Sequence, residues 1–252
     1  MRAPIKPVTG IAILTVISVI ALIYFFAILV FGSFVRAGVN RIGPTVLQAP
    51  VKLEEATMAP MSGWGTLTDL RIGNPAGWSD ANALSITRVQ VQVKPFSLFD
   101  DPVEIDELEI EDIAIHYETK IISSNISDLL KNAEKSLGLN GPETKTSGGK
   151  PIRLIVRKFV LRGGKVTLSA GGQNLIIPMP EILLVDLGVK EGGLTPPQLG
   201  FAILRSITAS VVSASTKALG PLSGATGAAA AEGARQVGEA IKGFFEGAKK
   251  KE

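Results

Sequence analysis

The run from Ile11 to Phe31 carries no charged residue in 21 positions. Wound as a helix at about 1.5 Å per residue it spans about 31 Å, the thickness of a bilayer core. Thr15, Ser18 and the Tyr24 hydroxyl are its only polar side chains, and a helix tolerates all three. A signal peptide has a shorter apolar core and a small-residue cleavage site. Here FGSFVRAGVN follows instead, with bulky residues and Arg36. The expectation is therefore an uncleaved transmembrane helix over 11–33, preceded by a short cytoplasmic tail at 1–10. Arg2 and Lys6 before the run nearly balance Arg36, Arg41 and Lys52 after it. The short positive tail favours an N-terminus on the inside.

The rest of the chain offers little chemistry. It has no cysteine and one histidine, His116, which excludes thiolate zinc sites, disulfides, cysteine nucleophiles and histidine pairs. The net charge of +3 is small and dispersed, so nucleic acid is not expected as a partner. No Walker loop, G-x-S-x-G or H-E-x-x-H occurs, and Gly63-Trp64-Gly65 lacks the third glycine of a dinucleotide loop. The acids Glu104, Asp106, Glu107, Glu109, Glu111 and Asp112 alternate with apolar residues. That places them on the wet face of a strand, without the glycine turn of a calcium loop. Neither an enzyme nor a cofactor or metal is expected. Asn125-Ile126-Ser127 fits the glycosylation sequon, a pattern short enough to recur by chance.

Glycines and Pro44 mark 34–44 as a linker. Strand-like runs follow over 45–190. They are Thr45–Met58, Gly65–Ile72, Leu84–Val93, Val103–Glu118, Ile152–Val160, Val166–Ser169 and Leu175–Leu187. In the third, Leu84 and Ile86 share one parity and Val89, Val91 and Val93 the other, which predicts a bulge or bend near Thr87. Similar slips predict irregularities near Asp106-Glu107 and Glu111-Asp112. One dry and one wet face favours antiparallel strands. Arg162-Gly163-Gly164-Lys165 reads as a hairpin turn. Pro178 and Pro180 mark the last run as an edge or interrupted strand. Ser124 or Asn125 caps a helix over Asn125–Leu139. A second helix lies over 195–220, opened by Pro196 and Pro197. The Ala/Gly-rich stretch 227–252 reads as an amphipathic helix with a basic tail. Its apolar stripe includes Val237, Ile241, Phe244 and Phe245, a surface for a partner or a membrane. The fold class is α+β: one transmembrane helix, an antiparallel, twisted and bulged sheet with a short inserted helix, and C-terminal helices.

Within Val51–Glu118 several features occur together. They are Gly65, Leu67, Leu70 and Ile72 in a G-x-L-x-x-L-x-I run, and Asn74, Pro75 and Gly77 in an N-P-x-G turn. A strand of alternating valines follows, then the Pro95–Leu98 step, then Ile105, Leu108 and Ile110 in an I-x-x-L-x-I strand. This combination resembles the N-terminal region of AsmA-like proteins of double-membraned bacteria. The resemblance implies an inner-membrane anchor, a periplasmic β-rich domain, and a part in lipid transport and outer-membrane biogenesis, by kinship with bridge-like lipid-transfer proteins. The chain is shorter than many such proteins. About 145 residues of strand-rich sequence give a sheet about 30 Å wide with strands up to about 53 Å long, too small to cross an envelope alone.

Two functions follow. In the first, membrane lipid is bound or passed at an open apolar sheet face made of Val89, Val91, Val93, Ile105, Ile113 and Ile115. In the second, the chain is a structural or interaction subunit of an envelope complex, or a homo-oligomer, with that face filled by its own helices. Whether the face is covered separates them.

Overall fold

The computed structural model describes residues 7–59, 61–120, 123–138, 152–170 and 173–219. The fold is α+β. Its elements are α1 (Pro7–Leu47), β1 (Val51–Ala59), β2 (Trp64–Gly73), β3 (Asn82–Val93), β4 (Val103–Glu118), α2 (Asn125–Ser136), β5 (Leu154–Arg162), β6 (Lys165–Ala170), β7 (Gln173–Pro178), β8 (Ile182–Leu187) and α3 (Pro196–Leu219). The apolar stripe at Val237–Phe245 lies outside the described residues.

The first correction concerns the linker. Residues 34–44 are helical, and α1 runs unbroken for 41 residues with Pro44 inside its last turn. Thr45–Leu47 belong to that turn, so β1 starts at Val51 rather than Thr45. Glycine and proline normally disfavour helix, but here tertiary packing decides. Gly32 and Gly43 lie against Ala56 and Val51 of β1, where a Cβ would strike them at 2.0 and 2.8 Å.

The second correction concerns the sheet, which is mixed. β1 to β4 form an antiparallel meander, but β5 and β6 both run parallel to β4. The chain leaves β4 through α2 and re-enters at β5, and such a crossover allows parallel pairing. Gly163-Gly164 is not a hairpin turn. Val103 pairs with Leu154 and Ala114 with Lys165, so β5 and β6 follow β4 with one constant offset. They are one long strand, broken only at the two glycines. β7 and β8 likewise lie along β6 and β5 with a break at 179–181, as Pro178 and Pro180 suggested. Eight strands therefore make six ribbons.

The expected irregularities are present and have a common cause. Successive inward residues are three apart, not two, at Leu67/Leu70, Ile86/Val89 and Ile110/Ile113. These steps lie side by side across β2, β3 and β4. Asp69 and Asp112 take positive φ at this level (58° and 53°), and Gly163 (69°) lies beside Asp112. Aspartate and glycine tolerate the left-handed region that β-branched residues avoid. A crease thus crosses the sheet and keeps both parities on one face. A second slip, between Gln92 and Val93, leaves Asp106 unpaired in β4.

α2 begins one residue after Ser124, whose Oγ accepts from Ser127 N at 3.1 Å. It ends at Ser136, one turn earlier than the periodicity suggested. Ile126, Leu129 and Ala133 of α2 are buried, as are Leu199, Leu204, Ile207, Val211 and Val212 of α3. All but Ala133 belong to one apolar cluster with the inward residues of the sheet.

Candidate functional site

The six residues expected to meet lipid all point inward. Ile115 is 0 % exposed and Ile113 1 %, while Val91, the most open, is 8 % exposed. Val89, Val93 and Ile105 are buried with them, in the same cluster as α2 and α3. An open apolar groove was the condition for lipid at this face, and the face is closed. Burying each such side chain contributes about 1.5–3 kcal/mol, enough to hold the helices on the sheet.

The motif residues have structural work. Leu67, Leu70 and Ile72 are half-buried against the core. Gly65 leaves room for Met58, whose sulfur would lie 2.2 Å from a Cβ there. Asn74 is the hub of the turn that includes Pro75 and Gly77 (φ 90°). Its amide donates to Ser79 O at 3.1 Å and to Glu118 at 2.9 Å, and its Oδ1 accepts from Asn125 at 2.8 Å. Asn125 is fully buried. It also donates to His116 O at 2.6 Å and accepts from Glu118 N at 3.0 Å. The sequon asparagine is therefore a core residue, with no amide free for a glycan. Nearby, the Trp78 indole donates to Asp128 at 3.0 Å, and the Lys120 ammonium lies 4.4 Å from the Trp78 ring. Together these contacts tie the β2–β3 turn to the end of β4 and the start of α2. Gly77, Trp78, Ser79, Glu118 and Lys120 also line an open depression of about 420 Å³.

The acid run lies on the outer face, as the alternation indicated, and is paired across strands. Glu107 meets Lys158 at 2.7 Å and Glu109 meets Arg162 at 2.6 Å, while Arg157 bridges Glu104 (3.3 Å) and Asp186 (3.2 Å). Lys94 reaches Glu104 at 3.1 Å, and this hydrogen bond, with the lysine charge and then Arg157, holds the Glu104 carboxyl below its ordinary value. Such exposed pairs are screened by water and salt and contribute little each. Among the described residues no three His, Cys, Asp or Glu side chains converge as metal ligands.

The feature that strand and motif reasoning missed is the junction between α1 and the sheet. The Asn40 amide donates to Leu53 O at 3.1 Å, and its Oδ1 accepts from Leu53 N at 2.6 Å. A side chain of α1 thus takes the place of a neighbouring strand on the edge of β1. Gly32, Asn40 and Gly43 recur at helical spacing on one face. That periodicity, inside a stretch read as linker, was the available clue.

Compared with known proteins, the chain matches no family model and no curated protein.

Proposed function

We propose that this chain is a non-enzymatic, single-pass envelope protein of AsmA-like type. α1 anchors it in the inner membrane with the N-terminus cytoplasmic, and the sheet stands in the periplasm as a structural or interaction subunit. One observation carries the choice over an open lipid carrier: the apolar sheet face is already filled by α2 and α3. The helix α1 is long and apolar enough to cross a membrane, which supports the anchor. The two edges of the sheet support the interaction role. α1 satisfies β1 at Leu53 through Asn40. The β7–β8 edge instead presents exposed Ile176, Leu183 and Val185, and an unpaired edge is a template for another chain. Among the described residues that edge pairs with no further strand, which supports a partner surface there for an envelope protein or a second copy.

The test is photo-crosslinking in the full chain, expressed in cells. A photoreactive residue at Val91 or Ile115 is expected to join the sheet to the chain's own helices. One at Ile176 or Leu183 is expected to capture a protein of defined mass. A phospholipid adduct at Val91 or Ile115 would overturn the filled-face reading and restore the lipid-carrier function.

A further inference from the structure

One end of the sheet carries a fringe of exposed apolar side chains. Phe96 is 85 % exposed, Met61 77 %, Ile152 65 %, Trp64 56 % and Val189 40 %. They come from four separate stretches of chain, yet backbone hydrogen bonds string those stretches side by side. Val93 N donates to Gly63 O, Lys94 N to Glu104 O, Val103 N to Arg153 O, Leu154 N to Leu194 O, and Gly193 N to Gly188 O. Met61 and Trp64 thus sit on the β1–β2 turn, with Phe96 after β3, Ile152 before β5 and Val189 after β8. Soluble surfaces scatter such residues singly. A row along one end, including a tryptophan and a phenylalanine, needs a reason.

The direction of α1 supplies it. Gly32 lies beside Ala56 and Gly43 beside Val51. From Gly32 to Gly43 the helix rises about 16 Å, and from Val51 to Ala56 the strand covers about 16 Å. Helix and strand therefore run alongside each other in opposite senses. Continued past Ala56, β1 advances towards the N-terminal part of α1. It reaches Ala59 about 10 Å further on, and the Met61 turn lies beyond that. In the same direction α1 enters its charge-free run, which ends at Phe31. The fringe is thus level with the last turns of that run, where Phe25 and Phe26 are also exposed.

We infer that this end of the domain is seated at the boundary between the headgroups and the acyl chains of the bilayer that α1 crosses, with Met61, Trp64, Phe96, Ile152 and Val189 as its footprint. The inference rests on the anchoring reading above. The occupant is the lipid surface itself. Tryptophan is enriched at this depth because its ring is apolar and its N–H polar. The footprint would stop the domain from swinging about α1 and fix the sheet upright on the membrane.

The chain contains two tryptophans, and they report opposite ends. Trp78 lies by Lys120 and Asp128 at the far end of the sheet. The full chain is reconstituted in phosphatidylethanolamine–phosphatidylglycerol vesicles with brominated acyl chains, as Trp78→Phe and Trp64→Phe variants. Expected is strong bromine quenching of Trp64 and little of Trp78. The added exposed changes Met61→Asp and Phe96→Asp should cut the Trp64 quenching several-fold without moving Trp78 emission. Equal, weak quenching of both tryptophans in a chain that floats with the vesicles would overturn the footprint and leave the anchor intact. Blue-shifted but unquenched Trp64 would mean that protein covers this end, and overturns it too. Failure of the chain to float would overturn the anchoring reading, and the footprint with it.

Discussion

Asn40 holds Leu53 by both of its backbone groups, accepting from the N–H at 2.6 Å and donating to the carbonyl at 3.1 Å. Leu53 is 0 % exposed, with the half-buried Asn40 amide shielding both groups from water. Asn40→Ala leaves a donor and an acceptor without partners, at about 1–3 kcal/mol each. Asn40→Asp keeps the acceptor but sets a carboxylate oxygen against the Leu53 carbonyl, and should also destabilise while it is ionised. Thermal unfolding of the full chain in detergent micelles reads both. An Asn40→Ala midpoint equal to that of the unaltered chain would show that the contact is dispensable.

The glycines of α1 divide sharply. A Cβ on Gly32 would lie 2.0 Å from Ala56 O, whereas nothing lies within 4 Å of one on Gly38. Gly32→Val should therefore push α1 off β1 and lower stability. Gly38→Ala should raise it by up to about 1 kcal/mol, the helix penalty of glycine. Hydrogen exchange at the β1 amides measures the difference directly. Faster exchange is expected in Gly32→Val only.

These two residues also mark how far the sequence could be read. Alternation located β2, β3 and β4 because each has one wet face, and the three-residue slips at Thr87 and Asp112 were visible as changes of parity. Local chemistry could not give the path at Gly163-Gly164. A glycine pair permits a hairpin and a straight-through kink alike, and the offset shared with β4 selects the second. Nor could it show that α1 continues to Leu47, because the contacts that hold it there, Gly43 against Val51 and Asn40 on Leu53, come from β1. The buried state of Val91 and Ile115 was likewise undetermined. An apolar strand face looks the same whether a helix or a lipid covers it.

The buried amide pair is the next point of failure. Asn125 bonds to Asn74, His116 O and Glu118 N, and is fully enclosed. Asn125→Ala should leave these groups unsatisfied and cost about 1–3 kcal/mol for each one not reached by water. Asn125→Asp places a carboxylate against Asn74 Oδ1 and His116 O, and should cost more at neutral pH than at pH values where it is protonated. Urea unfolding at two pH values checks this order.

The outer face should weaken in acid. Glu104 is held below the ordinary carboxylate value of 4.5, first by its hydrogen bond to Lys94, then by the Lys94 charge and by Arg157. A lowered folded-state value means stability that is complete above the ordinary value and disappears as pH falls through the folded one. Tyr117 acts at the other limb. Burial raises its phenol above the ordinary 10.0, against a hydrogen bond to Ser124 that lowers it. Its contribution is complete below that value and is lost as pH rises through the folded one. Glu104→Gln should flatten the acid limb of a stability profile, and Tyr117→Phe the alkaline limb. High salt should mimic the first change and leave the second, because screening reaches exposed charges and not a buried phenol.

Phe159 gives the most direct test of the filled face. It is 0 % exposed on β5 and belongs to the cluster that α2 and α3 close. In a sealed core Phe159→Ala creates a cavity and costs about 3–5 kcal/mol. On a face that opens to admit lipid, α3 would already leave it intermittently, and the penalty would be smaller. Ile207→Ala on α3 should cost about 2–5 kcal/mol by the same reasoning. Two distant core sites add, whereas neighbours sharing one cavity do not. The double variant should fall short of the sum only if the two side chains share one cavity. Strict additivity would place them in separate parts of the core, whereas penalties below about 2 kcal/mol at both sites would take away the support of the filled-face reading.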